Sequence, residues 1–212
     1  FIFISMYEKI ILPAVLAGGK SNRFGKDKSN AKLGDRTLLE HTISKLENEF
    51  SEILIVTNNK NLKIINKKIH KTKDCIDGQL GPLVGILSAM KWIVNNNKNY
   101  DYVATFPCDT PFFDSKVIKE FKRYSNLKTN SIHLINSNNQ RHNIFGLWPV
   151  NTWKILEKDI KSKNFRKVDK WVDKMNAKII NLNSGKFDKF LNINTKDEFE
   201  LAKKHFNKSK ND

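Results

Sequence analysis

Apolar positions along the chain fall into two alternating patterns. Apolar runs stand at residues 10–16 and 53–56, and 102–106 is apolar but for Thr105. Each stops at Gly, Asn, Asp or Pro, as expected of strands buried on both faces of a sheet. Between them lie segments with apolar residues at helical spacing. Leu39, Ile43, Leu46 and Phe50 form one stripe, introduced by the capping box Thr37-Leu38-Leu39-Glu40. Leu83, Ile86, Leu87, Met90 and Ile93 form a second. It opens on Gly81-Pro82, with proline in the first helical turn, where its missing N–H costs nothing. Pro13 suits the first run only early in a strand or where no neighbour needs its N–H. This strand–helix alternation, at the spacing of βαβ units, predicts a three-layer, doubly wound α/β fold. Its sheet is mainly parallel, with helices on both faces.

The second half is less regular. Val117, Ile118 and Phe121 mark a helix, and residues 131–135 and 144–148 are expected to pair around an Asn-rich turn. Helices are predicted at 152–161 and 167–175, a strand at 178–182, and a last helix behind a second capping box, Thr195 with Glu198. The very basic stretch 60–73 predicts a short helix followed by a strand. No linker divides the chain, so residues 6–206 are expected to form one domain. Residues 1–5 read as an upstream extension before Met6, and 207–212 as a frayed basic tail.

Composition changes this picture little. The chain has 212 residues, 39% hydrophobic and 28% charged, suited to one sizeable domain. Its net charge of +16 comes from 33 Lys and 5 Arg against 22 acidic residues. Nucleic-acid binders cluster their charge and use Arg forks. Here lysines are scattered over nearly every predicted helix, so nucleic acid is not the expected partner, although anionic substrates would be steered inward. Two cysteines, Cys75 and Cys108, point to a reducing compartment without a disulfide framework. No apolar run approaches a membrane span, and residues 1–5 lack a basic signal-peptide head. The expected location is the cytoplasm, with no membrane partner.

The candidate chemistry begins where the first strand stops, at Gly18-Gly19. Paired glycines let backbone N–H groups curve around an anion. Lys20, Arg23, Lys26 and Lys28 follow, and phosphate is the matching guest. For any one of these cations, an ordinary solvated turn residue is the plainer explanation. A P-loop is excluded because Ala14 stands where its first glycine is required, and G-x-G-x-x-G is absent. In doubly wound sheets, ligands bind beyond the carboxyl ends of the strands. Three loops fall there: Gly18-Gly19, Thr57-Asn58-Asn59, and Pro107-Cys108-Asp109-Thr110-Pro111. Spacing alone makes Asp109 a turn carboxylate.

Leu16-Ala17-Gly18-Gly19, with Arg23-Phe24-Gly25 and Asp27-Lys28, resembles the signature loop of nucleotidyltransferases that join an NTP to a phosphorylated acceptor. The Asp-Lys ending resembles the molybdenum cofactor guanylyltransferase (MobA) branch. That resemblance implies a Mg²⁺-dependent enzyme transferring GMP from GTP to the phosphate of molybdopterin or the molybdenum cofactor. It makes Asp109, within P-C-D-x-P, the metal ligand, and Arg23 and Lys28 the cations that neutralise the triphosphate. Leu16, Ala17, Gly18 and Gly19 would bind nucleotide together with Lys28, Asn58, Asp74 and Asp109. Asn192 and Asn194 resemble the N-x-N-T segment near the family's carboxyl end. The resemblance covers most of residues 10–113 and returns at 191–199. It departs at Arg141-His142-Asn143, where the family usually has a proline on the acceptor side. There His142 is a candidate for the acceptor phosphate, though a lone loop histidine is more often merely exposed. Cofactor-delivery proteins are expected partners. Two alternatives stay open: a cytidylyltransferase on the same cofactor or another phosphorylated small molecule, and a non-catalytic, basic nucleotide- or RNA-binding protein.

Overall fold

A computed structural model of the chain describes residues 10–18, 31–64, 66–78, 81–162, 165–183 and 187–211, with residues 209–211 described by their backbone alone. In chain order the strands are β1 (Ile11–Leu16), β2 (Lys32–Leu33), β3 (Arg36–Thr37), β4 (Ile53–Val56), β5 (Ile69–Thr72), β6 (Tyr102–Pro107), β7 (His133–Ser137), β8 (Gln140–Pro149) and β9 (Lys178–Leu182). The helices are α1 (Leu38–Glu47), α2 (Pro82–Asn95), α3 (Lys116–Asn126), α4 (Trp153–Ser162), α5 (Val168–Lys174) and α6 (Lys196–Asn211).

Seven strands form one sheet in the order β5-β4-β1-β6-β8-β7-β9. β5, β4, β1 and β6 run parallel. β8 joins β6 antiparallel and reverses again into β7, which is parallel to β9. β8 alone opposes the others, so the sheet is mainly parallel, as expected. Its three innermost apolar runs are buried because both faces are covered. Leu12, Ala14, Leu54, Val103 and Trp148 face α2, α4 and α5. Ile11, Val15, Ile55 and Phe106 face α1 and α3. α2 lies between the sheet and α4, which is why burial extends beyond its predicted stripe to Val84, Ser88 and Ala89. Pro13 lies early in β1, in register with Ala104 of β6 and just before the first β1–β4 register pair, Ala14↔Leu54.

Local signals in the sequence appear as local structure. At α1 the Thr37 hydroxyl accepts from Glu40 N (3.1 Å), while the Glu40 carboxylate accepts from Thr37 N (2.7 Å). At α6 the Glu198 carboxylate accepts from Thr195 N (2.8 Å) and Glu198 N donates to the Thr195 hydroxyl (3.2 Å). The β7–β8 hairpin turns at Asn138-Asn139, both at positive φ (49° and 60°), which Asn tolerates.

One expectation differs. No helix forms among the described residues of 60–73; β5 is reached through turns. The Asn59 side chain accepts from Asn61 N (2.9 Å) and that of Asn66 from Lys68 N (2.9 Å). Such side-chain bonds offer the backbone an alternative to helical pairing. At the carboxyl end α6 runs to Asn211. Phe206 anchors it in a small cluster with Leu33, Leu38, Ile193 and Ala202, under the β2–β3 hairpin. No helix among the described residues is long and apolar enough to cross a membrane.

Candidate active site

A cavity of about 450 Å³ opens along the carboxyl edge of the parallel strands. It is lined by Leu16, Gly18, Val56, Asn58, Asp74, Gly81, Pro82, Gly85, Pro107, Asp109, Ile144 and Asn192. Six residues singled out in the sequence therefore meet there: Leu16, Gly18, Asn58, Asp74, Asp109 and Asn192. A second cavity, of about 560 Å³, lies at the opposite edge beside Ile10, Ile11 and Lys122 and contains none of them.

Strand order explains the convergence. Asp74 follows β5, Asn58 follows β4, Gly18 follows β1 and Asp109 follows β6. From β5 to β6 are three interstrand steps of ~4.8 Å, or roughly 14 Å along the edge. That span suits a nucleotide lying across the strand ends, with its base at one carboxylate and its phosphates at the other.

At the β5 end, Asn58 and Asp74 hold each other. Asn58 Nδ2 donates to Asp74 Oδ2 (2.7 Å), and Asp74 N donates to Asn58 Oδ1 (3.0 Å). Asp74 Oδ1 has no partner among the described residues. The adjoining wall is Gly81-Pro82, the start of α2. Gly81 has φ 89°, a conformation open to glycine at little cost, and Pro82 takes the first helical position. The next residue after Asp74 is fixed as well: Cys75 N donates to the buried Ser88 hydroxyl (2.8 Å).

At the β6 end, Asp109 is half-buried behind Pro107. Its backbone oxygen accepts from Ile193 N (2.9 Å), which brings Asn192 into the wall beside it. The turn after Asp109 is gripped from α1. Lys45 Nζ donates to Phe113 O (2.6 Å) and lies 4.7 Å from the centroid of the Phe113 ring. Burial pushes the Lys45 ammonium down to about 8, against the pull of Asp114.

Other expected residues are placed differently. Ala17 does not line the cavity. Its N–H donates to Val56 O (2.9 Å) and its C=O accepts from the Thr57 hydroxyl (3.1 Å), so both groups serve the sheet edge. Asn194 N donates to Glu198 (2.6 Å) at the start of α6, two residues from Asn192 in the wall. Gly19, Arg23 and Lys28, with Lys20 and Lys26, lie outside the described residues. His142 is half-buried, stacked on Phe190 at 4.2 Å, with Nε2 2.8 Å from the Ser137 hydroxyl. Burial lowers its pKa, opposed by Asp188.

Sequence reasoning missed the cavity role of Gly81, Gly85 and Ile144. For Gly81 a signal was present, since glycine directly before a helix-starting proline also leaves room for close approach. Ile144 carried none, because its place depends on β8 pairing with β6.

Among the described residues no three His, Cys, Asp or Glu side chains are grouped to hold a metal ion by themselves. A single carboxylate facing a cavity of nucleotide length still fits Mg²⁺, which takes one or two carboxylates and completes its shell with phosphate oxygens and water.

Comparison with known proteins identifies the family. Residues 13–177 match the family described as the MobA-like NTP transferase domain. The molybdenum cofactor guanylyltransferase of Rhizobium meliloti (strain 1021) is 32% identical over 196 residues, covering 90% of this chain and 89% of that protein. The protein of the same name from Sinorhizobium fredii (strain NBRC 101917 / NGR234) is 28% identical over 199 residues, covering 92% and 91%. Among solved structures, molybdopterin-guanine dinucleotide biosynthesis protein A from Archaeoglobus fulgidus superposes with a TM-score of 0.73 at 19% identity, over 92% of this chain and 98% of that one. The 4-diphosphocytidyl-2C-methyl-D-erythritol synthase of Anaerococcus prevotii DSM 20548 gives 0.69 at 14% identity, over 94% and 97%. These two likenesses show a shared fold. The family match spans most of the chain, from the first strand to the last turn before β9, and takes in Gly18, Asn58, Asp74 and Asp109 but not Asn192. The chain belongs to the MobA-like NTP transferase domain family and is a nucleotidyltransferase.

Proposed function

We propose that this enzyme transfers GMP from GTP to the terminal phosphate of molybdopterin or its molybdenum-bearing form, releasing pyrophosphate. The observation that carries this reading is one cavity with the locked Asn58–Asp74 pair at one end and Asp109 at the other. Guanine presents two adjacent donors, N1–H and the 2-amino group, to a carboxylate such as Asp74. Cytosine and adenine offer a donor beside an acceptor, and that acceptor would face a carboxylate oxygen. The names of the curated relatives point to the same substrates.

In the reaction an oxygen of the acceptor phosphate attacks the α-phosphorus of GTP. A P–O–P link forms and the bond to the β-phosphate oxygen breaks, so that pyrophosphate leaves with the electron pair. This needs alignment and charge neutralisation rather than a protein nucleophile. Asp109 is the residue assigned to hold Mg²⁺, which when bound supplies neutralisation of the phosphate charge. The Gly18-Gly19 backbone, Arg23 and Lys28 are assigned to the triphosphate on the family resemblance. Cys108 is buried and takes no part.

The test is thermal unfolding with nucleotides, followed by a transfer assay. GTP with Mg²⁺ at ~100 times its Kd adds about 2.7 kcal/mol to the folded state. For a domain of this size that is a rise of several degrees, at roughly 2–4 °C per kcal/mol. CTP and ATP should give much less. EDTA and Asp109→Asn should each shrink the rise, and Asp109→Asn should abolish pyrophosphate release. A larger shift with CTP would move the assignment to a cytidylyltransferase. No shift with any nucleotide, alongside salt-sensitive RNA binding, would replace the enzyme by a nucleic-acid binder.

A further inference from the structure

The wall of the cavity beyond Asp109 is made where two strands part. β6 and β8 pair from Tyr102↔Pro149 to Thr105↔Gly146, and no further. Beyond that point Phe106 and Pro107 continue toward Asp109, while β8 turns aside. The β7–β8 register shows how far it turns. Leu134 pairs with Gly146 but Ile135 pairs with His142, so residues 143–145 are extra on the β8 side. Bulges of this kind bend a strand and re-aim its side chains, and they recur beside active sites. Ile144, inside this bulge, lines the same cavity as Pro107 and Asp109.

One side chain spans the fork. Thr105 is fully buried on the α2 face of β6, among apolar neighbours. Its hydroxyl accepts from Trp148 Nε1 (2.7 Å) and donates to the Ile144 carbonyl (2.5 Å). The Ile144 carbonyl belongs to the bulge, past the last β6–β8 register pair, and the hydroxyl, with Gly146 O as a longer second acceptor (3.4 Å), ties it back to β6. Trp148 is held in turn by Gly146, where any Cβ would stand 2.5 Å from the indole ring. Indole, hydroxyl and carbonyl thus form a chain that fixes the opening between the two strands.

We propose that Thr105 is a positioning residue for the acceptor side of the cleft, its hydroxyl setting the distance between the Asp109 turn and the bulge at Ile144. This rests on the guanylyl-transfer reading, in which GTP fills the edge from β5 to β6 and the phosphorylated acceptor enters from β8. Thr105 itself touches no substrate. It acts by holding Ile144, and with it Arg141 to Asn143, at the width the acceptor requires.

Thr105→Val keeps the shape and removes the hydroxyl; Thr105→Ser keeps the hydroxyl. The first should raise the KM for molybdopterin ~10-fold, since small misplacements of a positioning wall are felt strongly. It should leave the KM for GTP and the GTP–Mg²⁺ melting shift as in the parent. Thr105→Ser should restore the acceptor KM. Amide hydrogen exchange at residues 141–146 should quicken in Thr105→Val and not in Thr105→Ser, while exchange in β1 and β4 stays slow in both. Unchanged exchange at 141–146 would overturn the proposal whatever the substrate proves to be. A parallel rise of both KM values, unrelieved by serine, would overturn it as well, since that marks general loosening. A parent enzyme that fails to transfer GMP would instead remove the functional reading, and the exchange measurement would still decide whether Thr105 holds the fork.

Discussion

Asp74 is the residue on which base choice turns in the proposed reaction. Its Oδ2 is taken by Asn58 Nδ2, and its backbone N–H by Asn58 Oδ1, so the carboxylate cannot swing to suit another base. Such reciprocal bonding keeps the side chain in place before the ligand arrives, which reduces what binding must spend on ordering. Asp74→Asn keeps the size and replaces one oxygen by an NH₂ donor. Hydrogen bonds to charged groups contribute about 1.5–3 kcal/mol, so the GTP preference should fall ~10- to 100-fold. Competition between GTP and ATP in equilibrium binding reads this directly. An undiminished preference in Asp74→Asn would place guanine recognition elsewhere in the cavity.

At the scale of elements, α1 does more than cover the sheet. Its Lys45 reaches the carbonyl of Phe113, in the turn that begins at Asp109. The groups facing this ammonium are Asp114 and Lys189, themselves paired at 2.7 Å. Burial opposes ionisation of Asp114, yet hydrogen bonds from Lys189 and from Lys116 N outweigh it and hold that carboxyl below its usual range. Lys45 is pushed down from 10.5 to about 8 by burial, with Lys189 adding to the push. Between those values the unfolded chain carries the Lys45 proton more fully than the folded one. Stability therefore rises with pH across that window. Lys45→Met removes the titration. Urea unfolding from about pH 8 to 10.5 should show the parent gaining stability relative to the variant as pH rises. Identical slopes would mean that Lys45 is solvated rather than buried.

The whole molecule is knit together by β6 and β8. β6 belongs to the parallel half, β8 to the antiparallel half, and their ladder runs through the middle of the sheet. α2 lies against β1, β4, β5 and β6 and also packs on α4, so the two halves share one core. Denaturation should accordingly be a single cooperative transition. Fluorescence reports on four tryptophans, Trp92 on α2 and Trp148, Trp153 and Trp171 in the second half, while far-UV circular dichroism reports on all elements. Coincident curves are expected. Two separated transitions would show that the β6–β8 seam is weaker than either side of it.

Three strands, two capping boxes and the helix start at Gly81-Pro82 were legible in the chain because each is decided within a few residues. An unbroken run such as Ile53–Val56 requires burial on both faces whichever strands lie beside it. Thr37 with Glu40 closes its bonds inside one turn. The failed helix in 60–73 was decided locally too, by the side chains of Asn59 and Asn66, which periodicity does not register. Asp74 and Asp109 were nameable from their loops and the family likeness, but not their roughly 14 Å relation, which follows from strand order. Nothing near Ile144 in sequence announces that it shares a cavity with Asp109. That depends on β8 lying against β6, parting from it at Gly146, and being held there by Thr105. Such pairing is chosen by the packing of the entire sheet against its helices, and only the folded chain brings those distant residues together.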